Sequence, residues 1–128
     1  MAGKLSPTTQ LRINEIGVFI TKVHRVNAQV EQYATARQKP EMYEMAIRRG
    51  FQQLKLQFMG AGFDALSQLC GGMEMATKRG GSQQHKSRIL REGIGSIRFQ
   101  LELAQRSLAT EDLAAQGRKA NEAASQDG

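Results

Sequence analysis

Cys70, His24 and His85 are the residues of this chain best suited to nucleophilic or metal chemistry, and their spacing supports neither. The three fall on different predicted segments, the glutamates are scattered, and the Glu-x-x-His spacing of bundle di-iron sites is absent. No nucleophile–base pair can be named, and no G-x-x-x-x-G-K-[ST] phosphate loop is present. His85 opens the run His85-Lys86-Ser87-Arg88-Ile89 at a predicted helix start. A phosphotransfer bundle would follow its accepting histidine closely with Lys and Gly, on an acidic surface. Without these, His85 reads as a solvated surface residue, as does His24 at the polar edge of the first helix. Cys70 is in step with an apolar stripe and reads as a buried structural thiol. Met73-Glu74-Met75 reads as core and edge, and Gly71-Gly72 as a place where two helices approach closely. The expectation is a protein without catalytic residues, metal or cofactor.

Its basic residues are more informative. The 128 residues carry a net charge of +6, unevenly spread: residues 1–109 hold +8 and residues 110–128 hold −2. A body this basic attracts polyanions, nucleic acid first. Lys78, Arg79, Lys86, Arg88 and Arg91 gather around one predicted helix–helix turn, and Arg48, Arg49 and Lys55 form a second group. Arginine binds phosphate bidentately. With aromatics at only 5 % and no Trp, backbone contact is expected rather than base readout. The plainer alternative is a solvated charged face.

The elements that must position these side chains are helices. Hydrophobic residues make up 40 % and charged residues 23 %, an ordinary globular mixture of one-domain length. Pro7 and Thr8 suit a helix start, and Ile16, Phe19, Ile20, Val23, Val26, Val30 and Tyr33 recur at spacings of three and four up to about Ala36. Lys22, Arg25, Gln29 and Gln32 fall on the opposite face. After Gln38-Lys39-Pro40, a second stripe runs through Tyr43, Ile47, Phe51, Leu54 and Phe58. Gly60-Ala61-Gly62 predicts a break before a third helix carrying Phe63, Leu66, Leu69, Cys70, Met73 and Ala76; one kinked helix over 41–79 is the alternative. Lys78-Arg79-Gly80-Gly81 is a stop signal. A fourth helix from Ser82 to about Ala109 presents Leu90, Ile94, Ile97, Leu101, Ala104 and Leu108 as a coiled-coil-like seam. Ile89, Phe99 and Leu103 lie on nearly its opposite side and predict contact with another subunit. Residues 1–7 read as a flexible leader, 8–109 as the helical bundle, and 110–128 as a polar, disordered tail. One cysteine, no signal-peptide pattern and no apolar run of membrane-span length suggest a reducing, cytoplasmic setting with no membrane contact.

Residues 66–108, LSQLCGGMEMATKRGGSQQHKSRILREGIGSIRFQLELAQRSL, resemble a known family. The likeness rests on Gly72-Met73-Glu74 with a stop at Gly80, on the Gly-Ser-Gln turn at 81–83, and on Ile97-Arg98-Phe99-x-Leu101 followed by Leu103-Ala104. This pattern is similar to the accessory variability determinants of diversity-generating retroelements and the related ribosomal-RNA intervening-sequence four-helix proteins. The resemblance implies an antiparallel up-down four-helix bundle and a pentameric assembly with a basic surface. It implies binding to a reverse transcriptase and to RNA or DNA, with Arg98 the one basic residue carried over by motif. The rival expectation is a structural or adaptor bundle of a mobile element, phage or secretion system, whose basic face meets an acidic protein.

Overall fold

The computed structural model describes residues 4–126, with side chains from Lys4 to Glu122. Four helices, α1 (Pro7–Thr35), α2 (Pro40–Gly60), α3 (Asp64–Lys78) and α4 (Gln83–Gln126), are joined by connections of three or four residues, and no strand occurs among the described residues. Connections this short force sequential helices to pack antiparallel. Contacts between Lys22 and Gln57, between Arg48 and Thr77, and between Arg91 and Glu31 confirm the up-down course. Each helix packs on its sequence neighbours and α4 closes against α1, so the fold is an all-α four-helix bundle.

The helix ends follow from local chemistry. Ser6, rather than Thr8, caps α1: its hydroxyl accepts from the Thr9 N–H at 3.3 Å, with Pro7 in the first turn. The break at Gly60–Gly62 is a Schellman turn. Phe63 N–H donates to Phe58 O at 2.8 Å, Gly62 N–H donates to Met59 O at 3.2 Å, and Gly62 sits at φ +83°. The Phe63 and Phe58 rings meet edge-on at 6.1 Å, supplying the apolar contact of that motif. Residues 41–79 are therefore two helices and not one kinked helix. Ser82 begins α4, its hydroxyl accepting from His85 N–H at 3.1 Å.

The core comes from the expected stripes. Ile16, Phe19, Val23, Val26, Val30 and Tyr33 of α1 face Ile47, Phe51, Leu54 and Phe58 of α2, Leu66 and Cys70 of α3, and Leu90, Ile94, Ile97 and Leu101 of α4. Burying each large side chain contributes about 1.5–3 kcal/mol. Ser67, Thr77 and Ser87, the buried polar residues among those described, all spend their hydroxyls on backbone carbonyls.

Two expectations need correction. α4 does not stop near Ala109 but continues to Gln126, so the segment expected to be disordered is helical over its described length. Its Ala, Glu, Gln, Lys and Arg are strong helix formers even without an apolar stripe. Nor is the leader loose where it is described. The Ser6 N–H donates to Asp112 Oδ2 at 2.8 Å, and Gln116 donates to Lys4 O at 2.8 Å, tying the chain before α1 to the far end of α4. The remainder of the expected leader and tail, residues 1–3 and 127–128, lies outside the described residues.

Candidate nucleic-acid interface

The two basic groups expected from the sequence do not assemble as a single open patch. Arg48 is half-buried, its Nε donating to Thr77 Oγ1 at 3.0 Å and its Nη2 to Thr77 O at 3.3 Å, so it ties α2 to the end of α3. Lys55 and Lys78 both address Glu74, at 3.8 and 3.5 Å. The Glu74 carboxyl is held below the ordinary range first by a hydrogen bond from Gln52 and then by these two ammonium groups. Lys86 lies largely covered beside Glu44 at 3.1 Å, and the Tyr33 hydroxyl donates to the same carboxylate oxygen at 2.8 Å. Burial first, and then that carboxylate, push the Tyr33 phenol well above its ordinary value. Arg91 grips both oxygens of Glu31 at 2.7 and 2.8 Å, which lowers the Glu31 carboxyl. Five of the nine expected contact residues are thus engaged within the fold, Arg48, Lys55, Lys86 and Arg91 between helices and Lys78 within α3.

Arg49, Arg79, Arg88 and Arg98 are exposed, and their side chains make no hydrogen bond or ion pair among the described residues. They are spread over three elements: Arg49 on α2, Arg79 at the end of α3, and Arg88 and Arg98 on α4. Of the expected interface residues, Phe99 and Leu103 are exposed and Ile89 is half-buried.

Arg49 joins a different set. Between α1 and α2 runs a groove of about 370 Å³, lined by Lys22, Arg25, Gln29, Arg49, Gln53 and Gln57 over a floor of Val26, Ala46, Gly50 and Leu54. It shares Gln29 and Ala46 with a second hollow of about 580 Å³ bounded by Gln32, Gln38, Lys39, Met42 and Tyr43. The two form one continuous trough. Four cations and five glutamines line it, and no carboxylate does. Lys22 donates to Gln57 Oε1 at 3.0 Å, while the side chains of Arg25, Lys39 and Arg49 have no hydrogen-bond or ion-pair partner among the described residues. Lys39 holds a left-handed backbone at φ 50° just before Pro40, where the proline ring disfavours a right-handed helical turn. A non-glycine residue there is uncommon and costs about 1 kcal/mol or more.

The floor exists because Gly50 has no side chain. A Cβ there would lie 2.9 Å from Val26 Cγ2. Gly71 and Gly72, expected to permit close approach, do not: nothing lies within 4 Å of a Cβ at Gly72, and at Gly71 only the flexible Lys55 stem comes near, at 3.6 Å. The close approaches belong to Gly50 and to Gly93, where a Cβ would overlap the Met73 thioether.

The trough can bind anions by charge and amide donors, and it holds no nucleophile or metal cluster. Cys70 is buried, and burial pushes its thiol up to about 12. Among the described residues no three His, Cys, Asp or Glu side chains group as metal ligands, and no helix is long and apolar enough to cross a membrane. Neither a protein-family model nor a curated protein nor a solved structure matches the chain.

Proposed function

We propose that this bundle is a non-enzymatic nucleic-acid-binding protein that takes a nucleic-acid backbone along the α1–α2 trough. The supporting observation is the unbroken run of Lys22, Arg25, Arg49 and Lys39 among glutamines with no lining carboxylate. Charge attracts phosphate irrespective of sequence, and glutamine amides donate to phosphate and sugar oxygens. The likeness of residues 66–108 carries the finer reading, an accessory to a reverse transcriptase in a retroelement, and the lone Cys70 fits a reducing, cytoplasmic setting. Arg98 would then serve that partner or an outlying phosphate, since it does not line the trough.

Binding of a labelled single-stranded RNA, followed by anisotropy over a range of salt, tests this reading. Four phosphate contacts give a log–log salt slope of roughly −3. Arg25→Glu with Arg49→Glu should abolish most binding. An RNA affinity that ignores both salt and this double reversal would overturn the proposal.

One observation favours a second reading, an adaptor for a protein partner. Met42, Met45, Leu56 and Met59 are all exposed on the outer side of α2 beside the trough. An acidic amphipathic helix would use both the apolar and the cationic residues. RNA-indifferent protein that binds such a peptide, and loses it on Leu56→Asp, would favour the adaptor.

A further inference from the structure

We infer that the outer face of α4 is a docking surface for a second copy of this chain, laid antiparallel across Phe99. Phe99 and Leu103 are 59 % and 47 % exposed, one turn apart on the side of α4 facing away from Leu90, Ile94, Ile97 and Leu101. The same outward face carries Glu92, Gly95 and Arg106 at spacings of three and four, spanning about 21 Å of helix. Glu92 and Arg106 are exposed, and their side chains make no hydrogen bond or ion pair among the described residues.

A two-fold interface must be self-complementary, and this face is. With Phe99 opposite Phe99 of the second copy, an antiparallel pairing sets Gly95 opposite Leu103 and Glu92 opposite Arg106, each twice by symmetry. Nothing lies within 4 Å of a Cβ at Gly95, so there is room for an incoming leucine. Glu92 and Arg106 then each meet an opposite charge, while Arg88, on the same stripe, falls opposite the neutral Thr110. A parallel pairing would instead set Glu92 against Glu92 and Arg106 against Arg106. Sliding the antiparallel pair one turn, to put Phe99 against Leu103, moves Glu92 opposite Thr110 and leaves both charges without partners. Exposed ion pairs contribute little affinity, but they select orientation and register.

Sedimentation velocity of the full chain over a broad concentration range provides the test, with circular dichroism confirming that each variant stays helical. The expected result is a monomer–dimer equilibrium that Phe99→Glu weakens at least about tenfold. Glu92→Arg should weaken it too, and adding Arg106→Glu should restore it, an outcome that mere loss of structure cannot produce. Phe99→Cys should cross-link to itself under mild oxidation, and Leu113→Cys, which faces His85 of the second copy in this register, should not. A chain that stays monomeric throughout, a dimer indifferent to Phe99→Glu, or a charge swap that fails to restore association would each overturn the inference.

Discussion

A Cβ on Gly50 of α2 would lie 2.9 Å from Cγ2 of Val26 on α1, closer than side-chain carbons pack. Val26 is buried and β-branched, with little rotamer freedom inside a helix, so it cannot swing aside. Gly50→Ala should therefore push α1 from α2 and cost about 1–3 kcal/mol, despite the better helix propensity of alanine. Gly72→Ala meets nothing and should stabilise by about 0.5–1 kcal/mol. Thermal unfolding of the two variants reads both signs. Equal effects would mean that the α1–α2 spacing is not set at Gly50.

Arg48 and Arg49 are neighbours in sequence with opposite duties. Arg48→Ala removes two hydrogen bonds to Thr77 and leaves a buried hydroxyl and carbonyl less satisfied, at a cost of about 1–3 kcal/mol. Arg49 makes no hydrogen bond or ion pair, so Arg49→Ala should change stability by less than about 0.5 kcal/mol. RNA binding should respond the other way. Arg49→Ala should weaken it and flatten the salt slope by about 0.7–0.9, whereas a folded Arg48→Ala protein should bind as before. Urea unfolding and anisotropy on the same two proteins decide the matter, and Arg48→Ala losing the steeper salt dependence would contradict it.

That division of labour explains what was legible in the sequence. The core was readable because Val23, Val26, Val30 and Tyr33 announce their face by spacing alone, as do Leu90, Ile94, Ile97 and Leu101. Which cations stay available was not. Lys86 and Arg91 look in sequence like Arg25 and Arg49; only the tertiary fold brings Glu44 and Glu31 across to meet the first two. Lys22, Arg25, Gln29 and Gln32 do declare a polar face of α1. That they share a trough with Arg49 and Gln53 depends on how α2 lies on α1, which a linear pattern does not contain. The helical course of residues 110–126 is not legible, because low hydrophobicity marks disorder as readily as an exposed helix, and the pinning by Asp112 and Gln116 to residues 4–6 is a tertiary contact.

Asp112 makes that pinning pH-dependent. Its carboxyl is held below its ordinary value of 3.8, first by the Ser6 backbone N–H and further by Ser6, Thr9 and Gln116 side chains. A carboxylate with a depressed folded value contributes stability that is complete above the unfolded value and is lost as pH falls through the lowered one. The attachment of residues 4–6 should therefore persist at mildly acidic pH and release only as the pH falls below 3.8. The Ser6 amide resonance followed by NMR should titrate with a midpoint below 3.8, and Asp112→Asn should abolish that titration. A Ser6 amide indifferent to pH in the wild-type protein would show that the contact does not form in solution.

Cys70 offers a readout of the whole bundle. The thiol is fully enclosed, and burial raises it from 9 to about 12. Thiolate is the reactive form, and each unit is a factor of ten, so at mildly alkaline pH the folded chain holds about a thousandfold less of it than an unperturbed thiol. Access imposes a further barrier, since no reagent can reach the sulfur while α2, α3 and α4 are packed. Modification by a disulfide reagent should therefore be slow in the folded state and become fast only as denaturant unfolds the bundle. Its denaturant dependence should match that of helix loss by circular dichroism, as two-state unfolding requires. Gly50→Ala should accelerate the reaction and Gly72→Ala should retard it, in proportion to their effects on stability. Rapid labelling of the native chain, unaffected by either variant, would place Cys70 on a locally opening segment instead of in the core.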